Sequence, residues 1–133
     1  PEHFMFKKYN DTPAAIAMGL YLLGALVYGL QLIFASESWL TAHDIGPEGI
    51  PLARALGAAY LGFSLGVILT FVNSPDGQKT FFIALGAAQL ILLVVLWHAC
   101  IAEIGSVLLQ DVVAVSVLTA VLLFAYFRLR SRL

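Results

Sequence analysis

Four apolar stretches, at about residues 13–35, 51–72, 80–102 and 106–127, fill most of a chain of 133 residues. Crossing the roughly 30 Å of bilayer hydrocarbon takes about 20 apolar residues of helix, and each stretch meets that length. Hydrocarbon offers the backbone no water, so every N–H and C=O must be satisfied within the segment, and a helix does this. The fold is therefore predicted as all-α: an integral membrane four-helix bundle, one domain over residues 1–133.

Composition agrees. The chain is 61% hydrophobic and 11% charged, where a soluble domain carries about a quarter charged residues. No hydrophilic stretch is long enough to build a separate soluble core. The net charge of −1 and the scatter of basic residues at segment ends argue against a nucleic-acid partner. Cys100 is the one cysteine and so can form no internal disulfide. Pro1 in place of methionine predicts a trimmed N-terminus. The first apolar run is longer than the roughly 7–15 residues of a signal-peptide core, and Phe34-Ala35-Ser36 lacks the small-x-small cleavage pattern.

Local signals divide the chain. The opening segment, with Phe4, Phe6, Lys7, Lys8 and Tyr9, is a basic and aromatic mix suited to a headgroup region. Thr12-Pro13 is predicted to start the first helix, the hydroxyl capping free N–H groups and the proline taking the first helical position. A polar connector, 36–50, carries Trp39 and His43, and its Ser-Glu-Ser-Trp-Leu opening could lie flat at the interface. Pro51 opens the second helix, and Asn73-Ser74-Pro75-Asp76-Gly77 closes it as a turn. Glu103-Ile104-Gly105 leaves so little slack that the third and fourth helices must form an antiparallel hairpin. Phe81, Phe82, Tyr126 and Phe127 are assigned to an inner aromatic belt.

Basic residues set the expected orientation. Lys7, Lys8, Lys79, Arg128, Arg130 and Arg132 fall on one side of four crossings, and Arg54 alone falls on the other, beside Glu37, Asp44, Glu48 and Glu103. The positive-inside rule then places both termini in the cytoplasm, matrix or stroma, N-in and C-in, of a bacterial inner membrane or an organelle. Small residues at Ala58, Gly62 and Gly66 repeat along one face of the second helix. Such faces let backbones approach closely where lipid supplies no hydrophobic drive. They are expected either to fold the monomer or to meet another protein.

The intramembrane polar residues gather, by this topology, near the outer side: Gln31, Arg54, His98, Gln110 and Asp111, with Glu103 at the rim. Asp111 is expected roughly 9 Å below the surface, at 1.5 Å per residue. An unpaired charge in hydrocarbon is costly, so Arg54 and Asp111 should pair or face water. Three readings stand: a structural salt bridge, a polar pocket with Arg54 as an anion or headgroup anchor and Asp111 or His98 as a proton acceptor, or contact with a partner subunit. His98 invites a haem or pigment reading, but a second histidine at its depth is missing, since His3 lies on the inner side and His43 would have to fold inwards. No haem or metal is expected; lipid is. Gln89 is expected to make an interhelical hydrogen bond, and Cys100 to act as a small apolar filler. The sequence holds no HExxH, phosphate loop or nucleophilic triad.

Ala53-Arg54-Ala55-Leu56-Gly57-Ala58-Ala59-Tyr60-Leu61-Gly62, following Gly46-Pro47-x-Gly49, resembles the Ala-Arg-x-x-Gly…Gly element of DoxX-like and related small tetraspan families of unknown function. The resemblance implies a small four-helix membrane protein, in some cases tied to redox enzymes as a membrane partner. Arg54 would match the family arginine, and no catalytic residue carries over. The lack of paired cysteines argues against a thiol-redox role.

Functionally the sequence favours an accessory or structural subunit of a larger respiratory- or photosynthetic-type membrane complex. The grounds are little mass outside the bilayer, no catalytic set, and small-residue faces open to other membrane subunits. The alternative is a small-molecule or lipid binder or transporter using the outer polar cluster.

Overall fold

The computed structural model describes residues 4–105 and 107–133, and is helical throughout, with no strand among the described residues. His3 and the predicted helix start at Ser106 lie outside the described residues. Six α-helices follow in order: α1 (Phe4–Tyr9), α2 (Thr12–Phe34), α3 (Ser36–Ala42), α4 (Ile50–Asn73), α5 (Lys79–Ile101) and α6 (Leu109–Leu129). Of these, α2, α4, α5 and α6 are long and apolar enough to cross a membrane.

Helix ends explain the boundaries. The α2 N-cap is Asp11, not the predicted Thr12; its carboxylate accepts from the Ala14 N–H at 3.2 Å, and Pro13 sits one position further in. A carboxylate at the cap also complements the partial positive charge of a helix N-terminus. The turn after α4 forms as predicted, with Ser74 at φ 90° and Gly77 at φ 76°. Two other ends lack the usual glycine. Asp44 (φ 58°) and Glu103 (φ 56°) take the left-handed conformation after α3 and α5. In both, an N–H reaches five residues back: Ile45 to the Leu40 carbonyl at 2.8 Å, and Ile104 to the Ala99 carbonyl at 2.9 Å. This is the Schellman closure, which satisfies orphan carbonyls at a helix C-terminus.

The helix α2 is the hub. It packs on α4 and on α6, and α6 packs on α5, while α4 and α5 share almost no interface. Ala14, Ala15, Met18, Tyr21 and Ala25 of α2 are fully buried. The α2–α4 crossing is closest at Gly29 and Gly57. A Cβ on Gly57 would meet the Leu32 Cβ at 2.9 Å and the Gly29 carbonyl oxygen at 3.0 Å. The predicted packing face of α4 is thus corrected. Ala58 and Gly62 are exposed, with nothing within 4 Å of a Cβ on Gly62. Gly66 alone of that set is closely covered, by the Phe81 ring of α5. The buried face runs instead through Ala53, Gly57, Tyr60, Ser64, Val67 and Phe71. These positions follow helical period, one step round from the small-residue repeat. Phe82 leaves the expected aromatic belt for the core, and Gln89 is buried with its Nε2 lacking a hydrogen-bond partner among the described residues.

The start of α2 and the end of α6 meet at one end of the bundle, here the terminal end. Arg128 Nε donates to both Asp11 carboxylate oxygens at 3.0 Å. Arg132 joins Asp76 at 2.8 Å and donates to the Tyr9 carbonyl, and its own carbonyl accepts from Gly77 N–H at 3.2 Å. Tyr9 is not at the surface: it is 0% exposed, stacks on Phe71 at 4.5 Å and bonds Thr70 Oγ1 at 2.6 Å. Burial pushes the Tyr9 hydroxyl up to about 12, against smaller lowering effects of the Thr70 bond and the Arg132 charge.

Two outcomes follow. Gly57→Ala should lower stability by about 1–3 kcal/mol through overpacking, whereas Gly62→Ala should leave it unchanged or raise it by up to about 1 kcal/mol; thermal unfolding in detergent measures both. A tyrosine whose folded pKa exceeds its unfolded value stabilises fully below about pH 10, and that contribution is lost as pH rises towards about 12. Tyr9→Phe should therefore cost about 1 kcal/mol at neutral pH and show a shallower alkaline loss than the parent in the same melts.

Candidate functional site

At the end of the bundle opposite the termini, Asp111 collects the polar contacts. It lies in the first turn of α6, which begins at Leu109, so it sits only about 3 Å along the helix axis. The helix thus starts later than the expected residue 106, which brings Asp111 closer to its N-terminal end. A carboxylate in a first turn is favoured by the helix dipole. One oxygen accepts from the Tyr28 hydroxyl of α2 at 3.0 Å, and the other pairs with His43 Nε2.

His43 reaches this point because α3 turns the connector back over the bundle. As the C-cap of α3, it is followed by the left-handed Asp44, which redirects the backbone while leaving the imidazole beneath. It is 6% exposed and stacks on the Trp39 ring at 3.8 Å between centroids. Its Nδ1 lies 2.7 Å from the Trp39 carbonyl. A carbonyl only accepts, so Nδ1 carries a proton. Among the described residues no group of three His, Cys, Asp or Glu side chains comes together as a metal set.

The Tyr28–Asp111–His43 chain separates two cavities. One, of about 380 Å³, is the more polar of the two and bordered by Gln31, Ser38 and Gln110. The other, of about 310 Å³, lies among α2, α4, α5 and α6, with Leu32, Leu56, Leu92, Leu96 and Val115 as apolar walls. Tyr28, Trp39, His43 and Asp111 border both. Tyr60 of α4 also lines the apolar cleft, its ring stacked on Tyr28 at 5.9 Å. Tyr60 is 6% exposed, and its hydroxyl has no hydrogen-bond partner among the described residues. The cleft exists because α4 and α5 touch where Phe81 meets Gly66, near the terminal end, and share little contact beyond it. Leu56 and Ile104 at its rim are 42% and 56% exposed.

Of the residues expected in a polar cluster, the structure brings together Gln31, Gln110 and Asp111. Arg54, His98 and Glu103 are not among the lining residues of either cavity, and all three are exposed. The expected Arg54–Asp111 ion pair does not form. Arg54 is one position round from the buried Ala53, and its long side chain can extend along apolar surface to the interface. In place of His98, neighbouring Trp97 bonds across the hairpin to Ser116 at 3.0 Å. Sequence reasoning missed Tyr28, His43 and Tyr60. The available signals were the seven-residue spacing of Tyr21 and Tyr28 on one α2 face, and the i, i+4 spacing of Trp39 and His43.

Asp111→Leu strands a buried imidazole and a hydroxyl and should cost about 2 kcal/mol; Arg54→Leu should stay within about 0.5 kcal/mol of the parent. Their double variant should be additive in thermal unfolding, because the groups do not touch. Comparison of the chain with protein-family models, with curated proteins and with solved structures gave no match, so the reading of this site rests on its own geometry.

Proposed function

We propose that this protein is a membrane-spanning binder of a small amphipathic molecule, held in the cleft among α2, α4, α5 and α6 with its polar head against Asp111. One observation carries the reading: a mostly apolar cavity of about 310 Å³ with the Tyr28–Asp111–His43 chain along one wall. Small-molecule sites have this make-up, mostly apolar walls with a few convergent polar groups, at volumes from about 300 Å³ upward. Lipid-facing access suits a ligand that partitions into the bilayer, since the rim residues Leu56 and Ile104 are apolar and exposed.

The distribution of basic residues supports a topology with both termini on the cytoplasmic, matrix or stromal side. The cleft then opens near the outer face of a bacterial inner membrane or an organellar membrane. The DoxX-like resemblance is retained as a proposal, on the Ala53–Gly62 element and the number of spans.

A second reading, an accessory subunit of a larger membrane complex, has its own observation. Helix α5 buries only Phe82, Leu85 and Gln89, and on α4 Ala58 is exposed and a Cβ on Gly62 would meet nothing within 4 Å among the described residues. Native mass spectrometry of the mildly solubilised particle separates the two. The binder reading expects the mass of the chain or a homo-oligomer plus a small amphiphile that is lost in Leu92→Trp, a variant that fills the cleft. Co-purifying large subunits, with no small ligand in either protein, would replace it with the accessory reading.

A further inference from the structure

The charge and hydrogen-bonding pattern of the cleft specifies a class of ligand, an inference that rests on the binder reading. An anionic head is disfavoured. Arg54, the one Lys or Arg outside the terminal end, is absent from the wall, and a phosphate or carboxylate would face the Asp111 carboxylate, whose partner His43 is already engaged by it. A group that both donates and accepts is favoured. Among the described residues Asp111 Oδ1 takes only the Tyr28 hydroxyl, and a carboxylate oxygen has room for a second donor. Tyr60 lines the same cleft, and its hydroxyl makes no hydrogen bond among the described residues, so it is available to donate to a ligand oxygen. The rings at this end are already arranged in stacks, Tyr28 on Tyr60 and Trp39 on His43. The cavity of about 310 Å³ matches one ring with its substituents rather than a whole phospholipid.

We infer that the cleft takes a neutral amphiphile with a hydroxylated aromatic head, of the alkylphenol type. Its hydroxyl donates to Asp111 and accepts from Tyr60, its ring lies against the tyrosines, and its alkyl tail leaves past Leu56 and Ile104 into lipid. Because His43 and Asp111 border the polar cavity as well, the hydroxyl proton is one residue away from a polar compartment.

The test uses the full chain in nanodiscs and three probes: 4-nonylphenol, its methyl ether, and dodecyl phosphate. Calorimetric titration should find the phenol about tenfold tighter than the ether, the worth of one hydrogen bond, and the phosphate weakest. Asp111→Asn, whose amide oxygen accepts more weakly than a carboxylate, should bring phenol affinity down towards that of the ether and leave the ether unchanged. Tyr60→Phe should weaken phenol and ether alike by about tenfold, since both ligand oxygens accept. The Tyr60→Phe result carries the test if Asp111→Asn fails to fold, and unchanged binding of both probes to it overturns the pose. Equal binding of phenol and ether, or tightest binding of the phosphate, overturns the ligand class while leaving a binding cleft in place. Failure of all three probes to bind, with Leu92→Trp indistinguishable from the parent, overturns the binder reading and this inference with it.

Discussion

The crossing of α2 and α4 at Gly29 and Gly57 governs how the other helices are placed. In lipid the interior of the protein is no more apolar than its surroundings, so helices associate through close contact, and two glycines allow the closest. Once α4 is drawn against one side of α2, and α6 seats Leu118 over Gly24 on α2, the remaining helix can dock only on α6. Helix α5 is therefore peripheral. A short turn after α4 holds the two helices together at the terminal end. Past Phe81 and Gly66 nothing draws them together, and the cleft is the space that remains.

Into that space the fold brings a carboxylate that must be compensated. Asp111 could in principle have been met by a cation. The structure uses a tyrosine hydroxyl, an imidazole and the positive end of its own helix. Such an arrangement keeps the local charge low and leaves the carboxylate able to accept another donor. It also makes the connector part of the bundle, because His43 is carried there by α3 and fixed by Trp39. At the terminal end, charges behave otherwise: Arg128 and Arg132 lie where water reaches them, and tie the chain ends to Asp11 and Asp76.

Particular residues mark how far the sequence could be read. Spans, connectors and the turn at residues 73–77 were legible because apolar length and Pro/Gly chemistry are local properties. Ala58 and Gly62 looked like a packing face because small residues at i, i+4 usually are one. Rotation of α4 about its own axis depends on which neighbour it meets, and the Gly29–Gly57 contact turned that face outward. Asp111 was legible as a buried charge needing compensation. Its partner was misassigned to Arg54, because depth along a helix is visible in sequence and azimuth is not. His43 was hidden by a helix end closed through Asp44, with no glycine to signal it.

By itself the sequence determined the four apolar helices, their up-and-down order and the segregation of basic residues to one end, since each follows from hydrophobic length and from local breakers. Only the tertiary structure decided which faces meet, which polar groups share a site, and that a cleft opens among four helices. Those outcomes depend on helix rotation and on the path of one connector, and both are set by contacts between residues far apart in the chain.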